Sequence, residues 1–357
     1  MNIISKEKIG QLFLVGVTKR ENLNDVINLI KKYHIGGVII YKNNYSNYEE
    51  MINVINQLKL ANKENKLPLF ISIDQECGRV NRFPKEFKNI ATASKVNKLS
   101  KEEQRNVGEI TAEMLSETGL NMNFAPVLDL KKYEDNHYIG DRAYSEIPEE
   151  VYEVTKIISE EFEKKGVIPV LKHFPGHGSI KKDSHMFLPR INNYEKILSE
   201  DAIPFIKAIE NGADAIMVGH IMIKGQTGSL PASISKKYIA DIRKRYSYDG
   251  LIVSDELAMR SVRYLYGRKK SIYKAANAGL DVIMYKYFVG LENVLEDVIN
   301  KYNLNKIDTD QIDASYKRVS SIKDKYKIND RKIENTMDIE KINKRIEEVN
   351  SKCKKNI

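Results

Sequence analysis

Eight short apolar runs recur along the chain, most of them separated by longer and more polar stretches. They span 12–16, 37–41, 69–74, 121–125, 168–173, 215–220, 251–255 and 281–285. Apolarity within them is continuous rather than alternating, which is the pattern of strands buried on both faces of a parallel sheet. The stretches between carry helical periodicity. In 151–165, for example, Val151, Val154, Ile157, Ile158 and Phe162 fall on one face. Eight strands alternating with helices predict an α/β protein with a (β/α)8 TIM barrel as its single domain, over residues 1–327. A doubly wound sheet is the alternative, because counting strands does not show closure. Residues 328–357 form a basic tail. In it, Ile339, Ile342, Ile346 and Val349 mark an amphipathic helix, read either as packed on the barrel wall or as a dimer seam.

Several runs end on a polar residue: Asp74, Lys172-His173, His220 and Asp255. The C-terminal ends of barrel strands converge on one mouth, so residues remote in sequence would face one pocket there. Two long gaps, 131–149 and 174–189, read as βα loops over that mouth. No internal repeat or low-complexity segment interrupts the pattern.

Composition narrows the classes. The 357 residues are 42% hydrophobic and 30% charged, enough apolar content for a core. Two cysteines, Cys77 and Cys353, exclude a disulfide framework and a four-cysteine zinc site. No run approaches the ~18 apolar residues of a membrane span, and no targeting segment is visible, so a cytoplasmic protein without a membrane partner is expected. The formal charge is +9, from 58 Lys+Arg against 49 Asp+Glu. No aromatic-studded basic stripe accompanies it, so no nucleic-acid partner is expected. The excess reads as a solvated surface, with local positive charge at Lys181-Lys182.

The densest chemistry lies in LKHFPGHGSIKKDSH, 171–185. One proline and two glycines make it a loop. Asp183 stands beside His185, and an aspartate near an imidazole fixes its tautomer and raises its basicity, which suits proton transfer. A polar surface loop is the plain alternative. A zinc site from His173, His177 and Asp183 or His185 is another, but the spacing fits no common zinc pattern and no metal or other cofactor is expected. Asp255 ends an apolar run, where a carboxylate can be nucleophile, base, ligand or helix cap. Asp74 and Glu76 precede Arg79 just past the third strand, and Arg142 could reach the same pocket as a forked donor, with a structural salt bridge as the plainer reading of each alone.

Together these segments resemble glycoside hydrolase family 3, and within it the NagZ-type β-N-acetylglucosaminidases. The matching stretches are GGVI (36–39), IDQECGRVNRFP (73–84), NMNFAPVLDL (121–130), IGDRAY (139–144), the 171–185 segment, SDELAM (254–259) and AANAGLDVIMY (275–285). The resemblance implies a (β/α)8 barrel and a retaining β-N-acetylhexosaminidase. Asp255 matches the nucleophile, and His185 matches the acid/base, oriented by Asp183. Asp74, Arg142, Lys172 and His173 match sugar-binding positions. It also implies, as substrate, a terminal non-reducing β-linked N-acetylglucosamine in a small saccharide or muropeptide, from cell-wall fragments. A phosphorylase, a β-glucosidase and a non-catalytic sugar-binding protein are the other readings, and a monomer or weak homodimer is expected. Two departures stand out. Cys77 replaces a glycine, tolerable if its φ is negative. Ser179 replaces an aspartate and removes one charge from the histidine loop.

Overall fold

The structure, a computed structural model, describes residues 3–132, 138–180 and 188–355. Each of the eight apolar runs carries strand. They are β1 (Phe13–Gly16), β2 (Gly37–Ile39), β3 (Phe70–Ile73), β4 (Met122–Asn123), the pair β5 (Ile168–Pro169) and β6 (Leu171–Phe174) in one run, then β8 (Ala215–Val218), β10 (Leu251–Ser254) and β11 (Ile283–Lys286). Two strands were not anticipated, β7 (Arg190–Ile191) and β9 (Met222–Ile223), which pair only with each other. Two-residue strands are too short to leave a periodic signature.

The fold is mixed α/β with parallel sheets. Six strands run in the order β11-β1-β2-β3-β4-β5 and three in the order β10-β8-β6. Every pairing is parallel; β1 sets Phe13 opposite Ile283 and Leu14 opposite Gly37. A parallel bridge between Val253 and Val282 links the two sheets at one side. At the other they share the run 168–174.

Alternating side chains explain why both faces had to be apolar. Leu14, Ile39, Phe70, Met122, Ile168, Met217, Leu251 and Met284 meet in one buried cluster, with Val319 and Ile322 closing it. Their neighbours Phe13, Val15, Val38 and Ile71 point the other way, into the cluster that includes the helices. The helix Pro148–Lys164 buries all five residues of its predicted face, four of them in that cluster. At the strands' N-terminal end Lys323 is buried, its Nζ donating to Gln11 Oε1 (2.6 Å), Gly36 O (2.9 Å) and Pro68 O (2.6 Å). Three acceptors satisfy that ammonium and seal this end.

In the tail, Ile342, Ile346, Val349 and Cys353 of the helix Ile339–Lys355 are buried against the rest of the chain. Asn343 Nδ2 donates to Glu86 O and Asn350 Nδ2 to Asn89 O (2.7 and 2.9 Å), while Arg345 pairs with Glu113 at 2.5 Å. The tail thus holds the segment that follows the Asp74–Arg82 turn.

Candidate active site

A cavity of about 490 Å³ opens at the C-terminal ends of the strands, bordered by Asp74, Glu76, Arg142, Lys172, His173 and Asp255. Five of these residues were singled out from the sequence as site residues, from four separate segments. Asp183 and His185 lie outside the described residues.

One wall is an ion-pair network. Lys172 Nζ lies 2.8 Å from Asp74 Oδ1 and 2.6 Å from Glu76 Oε1. Arg142 forks onto Glu76, Nε to Oε2 and Nη2 to Oε1, both at 2.8 Å, and its Nη1 donates to Tyr138 O at 3.1 Å. The structure thus shows the salt-bridge alternative for Arg142, at the border of the cavity. Glu76 is nearly fully buried. Burial would raise its pKa, but Arg142 and Lys172 overcome that and hold it well below the ordinary carboxylate range.

A second wall was missed. Asp129, fully buried, takes His173 Nδ1 at 2.6 Å and the backbone N–H of His177 at 2.7 Å. Burial would raise its pKa too, and the interactions with His173 and His177 bring it well down. The His173 ring is shifted down by its own burial, so Nδ1–H donates to Asp129 and Nε2 accepts from the Tyr138 hydroxyl at 3.3 Å. Asp129, His173 and His177 also present ligand atoms within 4.8 Å of one another, a set that could hold a metal ion. The signal in the sequence was a lone acid inside the apolar Val127-Leu128-Asp129-Leu130.

Asp255 ends β10. Its Oδ1 accepts the backbone N–H of Glu256 at 2.7 Å, while the buried Oδ2 accepts no hydrogen bond among the described residues. It caps no helix, because the next one starts at Arg260. Burial would raise Asp255, yet His220 and His173 bring it down to about 2. His220 is itself pinned, Nδ1 to Ser233 Oγ at 2.6 Å and Nε2 to Glu256 O at 2.9 Å. The neighbouring Glu256 goes the other way, pushed up to about 7 by burial.

The two departures have local explanations. Gly78 carries the positive φ of its turn (+77°) and Cys77 does not, so a side chain fits at 77. Ser179 sits over Asp201, a fully buried carboxylate, donating its N–H to Oδ1 (2.9 Å) and its hydroxyl to Oδ2 (2.5 Å). A Cβ on Gly178 would lie 2.5 Å from that same carboxylate. An aspartate at 179 would set two carboxylates face to face, with Lys132 3.4 Å from Asp201 as partial relief. Ser179→Asp is therefore expected to lower stability by about 1–3 kcal/mol, the cost of leaving a buried acceptor without its donor. A urea midpoint equal to that of the wild type would contradict this.

Parallel strands whose C-terminal ends gather carboxylates, histidines and paired cations around one cavity define an α/β enzyme of the kind that keeps its chemistry at that face. The chain belongs to glycoside hydrolase family 3: residues 4–322 match the family model described as the glycosyl hydrolase family 3 N terminal domain. Beta-hexosaminidase A of Pseudoalteromonas piscicida is 30% identical over 329 residues, 84% of this chain and 55% of that protein. The chain thus spans about half the length of that relative. A beta-hexosaminidase of Tolumonas auensis is 34% identical over 257 residues, 70% of this chain and 75% of its own. Among solved structures, a glycoside hydrolase family 3 beta-N-acetylglucosaminidase from Paenibacillus sp. str. FPU-7 superposes with a TM-score of 0.90 at 28% identity, over 99% of this chain and 69% of that one.

Proposed function

We propose that the protein is a retaining, exo-acting β-N-acetylhexosaminidase that removes terminal β-linked N-acetylglucosamine from cell-wall fragments. The observation that carries this reading is Asp255. It is a carboxylate held ionised in a buried cavity, with one oxygen fixed and the other, Oδ2, left without a hydrogen bond. Buried polar atoms are rarely left so, and an unpaired carboxylate oxygen at a strand end suits a nucleophile. In the first step Oδ2 bonds to the anomeric carbon as its bond to the leaving oxygen breaks. The proton for that oxygen comes from His185, oriented by Asp183. In the second step water attacks the anomeric carbon, gives its proton to His185 and frees Asp255. A histidine in this role departs from the usual carboxylate pair.

Asp74 holds sugar hydroxyls in this reading, and His173, fixed by Asp129, reaches the sugar by exchanging its long contact with the Tyr138 hydroxyl. Lys172 and Arg142 act with Glu76 as the charged wall behind them. We read the two sheets as one eight-stranded ring, supported by the bridge at Val253–Val282 and the shared interior cluster. Two buried, unpaired cysteines suit a reducing compartment such as the cytoplasm. Among the described residues no helix is long and apolar enough to cross a membrane.

A panel of aryl β-glycosides, with and without phosphate, tests the reading. The expected result is turnover of the N-acetylglucosaminide at least about tenfold above the glucoside, the gap left when a site built for a polar group meets a substrate lacking it. The product is free sugar in both buffers. Sugar phosphate in phosphate buffer, or equal rates on both glycosides, would replace it with one of the other readings.

A further inference from the structure

We propose that Glu256 keeps its carboxyl in the neutral acid form and donates a hydrogen bond from Oε2 to an oxygen of the sugar seated over Asp255. This rests on the glycosidase reading above and adds a substrate-holding residue that the sequence did not single out.

The geometry separates the two oxygens of Glu256. Oε1 accepts the backbone N–H groups of Ala258 (2.9 Å) and Lys286 (3.0 Å), which ties the turn after β10 to the end of β11. Among the described residues Oε2 has only the Tyr41 hydroxyl at 3.5 Å, at the outer limit of a hydrogen bond. The side chain borders the cavity beside Asp255 and Tyr41. One oxygen is therefore committed to the scaffold, and the other is open to a ligand.

The charges around it decide where the proton sits. On its own segment Glu256 follows Asp255, and two adjacent buried carboxyls repel when both are ionised. His220 and His173, and then His177, stand on the Asp255 side and favour ionisation there. Facing Glu256 from β11 are Lys286 and Tyr285, and from the segment after β2 comes Tyr41, which also feels Asp74. Lys286 acts directly on Glu256 and is exposed, so water screens it, while Arg82 at the cavity border acts on Tyr41. Burial outweighs the two backbone N–H donors on Oε1 and the charge of Lys286, Asp255 adds to it, and Glu256 rises to about 7. A carboxyl kept neutral in this way is a donor, which a carboxylate cannot be. A neutral Glu256 also adds no negative charge beside the attacking Asp255.

The test uses free N-acetylglucosamine as a competitive inhibitor of aryl N-acetylglucosaminide hydrolysis. Glu256→Gln keeps an acceptor for the two backbone N–H groups and puts an N–H₂ donor at the open position. It is expected to raise Ki about 3-fold at pH 6, while Glu256→Ala raises it about 30-fold or more, within the range for losing a buried hydrogen bond. The wild-type Ki rises as pH goes from 7 to 8.5, because Glu256 loses its proton there, and the Ki of Glu256→Gln stays level. Equal weakening by Gln and Ala at pH 6, or the same alkaline rise in Glu256→Gln, would overturn the role of Glu256 while leaving the activity intact. If the alanine variant does not fold, the pH comparison of wild type and Glu256→Gln still decides. A wild type with no turnover on any aryl glycoside overturns the glycosidase reading, and this role with it.

Discussion

Asp255→Ala is expected to abolish measurable turnover of an aryl β-N-acetylglucosaminide, a loss on the order of 10³-fold or more, as for other residues that form the covalent intermediate. The reason is local. Oδ1 is occupied by the Glu256 N–H, Oδ2 is open, and the surrounding histidines keep the group ionised. Among the described residues no other carboxyl bordering the cavity matches it. Glu76 is closed by Arg142 and Lys172, Asp74 is paired with Lys172, and Glu256 is held near neutrality. Asp255→Gly with added azide should recover turnover and give the α-glycosyl azide, since azide then attacks the face the carboxylate has vacated. Unchanged turnover in Asp255→Ala would remove the nucleophile assignment.

The second large effect is on stability. Glu76→Ala is expected to cost about 3–5 kcal/mol, because it leaves Arg142 and Lys172 buried without their shared counter-charge. Glu76→Gln should cost less, since it keeps an acceptor and removes only the charge. The same pairing makes an acid limb. Glu76 has a folded pKa below its unfolded value of about 4.3. Its contribution is therefore fully present above that value and fades as pH falls below it towards the lower folded value. Urea midpoints at pH 7 and at pH 3.5 read both. The wild type should lose stability between them, and Glu76→Gln should lose less. Equal losses would show that Glu76 is not a source of the acid limb.

Much of this was legible in the chain. The eight apolar runs gave eight strand positions, because burial on both faces writes itself into each run separately. The polar residues ending three of the four runs, Asp74, Lys172-His173 and Asp255, border the cavity, and the ordered motifs marked the family. Less legible were the partners. Arg142 read as a forked donor to the pocket or as a salt bridge, and only the structure names Glu76 as the carboxylate it faces. Asp129 stood in a quoted motif without a role, and it orients His173. Ser179 read as a lost charge, and it caps a buried acid.

The sequence alone determined the eight strand-bearing runs, the layered α/β plan and five of the chemical groups that border the cavity. Those are properties of short windows, where periodicity and motif spacing act. Only the tertiary structure decided which group neutralises which. Asp74 and Lys172 are 98 residues apart, Glu76 and Arg142 66, and Asp129 and His173 44. Charge state in a buried cavity depends on these pairings and on dehydration, which exist only after the strands have come together. That is why Asp255 and Glu256, adjacent carboxyls that look alike in sequence, end up ionised in one case and poised near neutrality in the other.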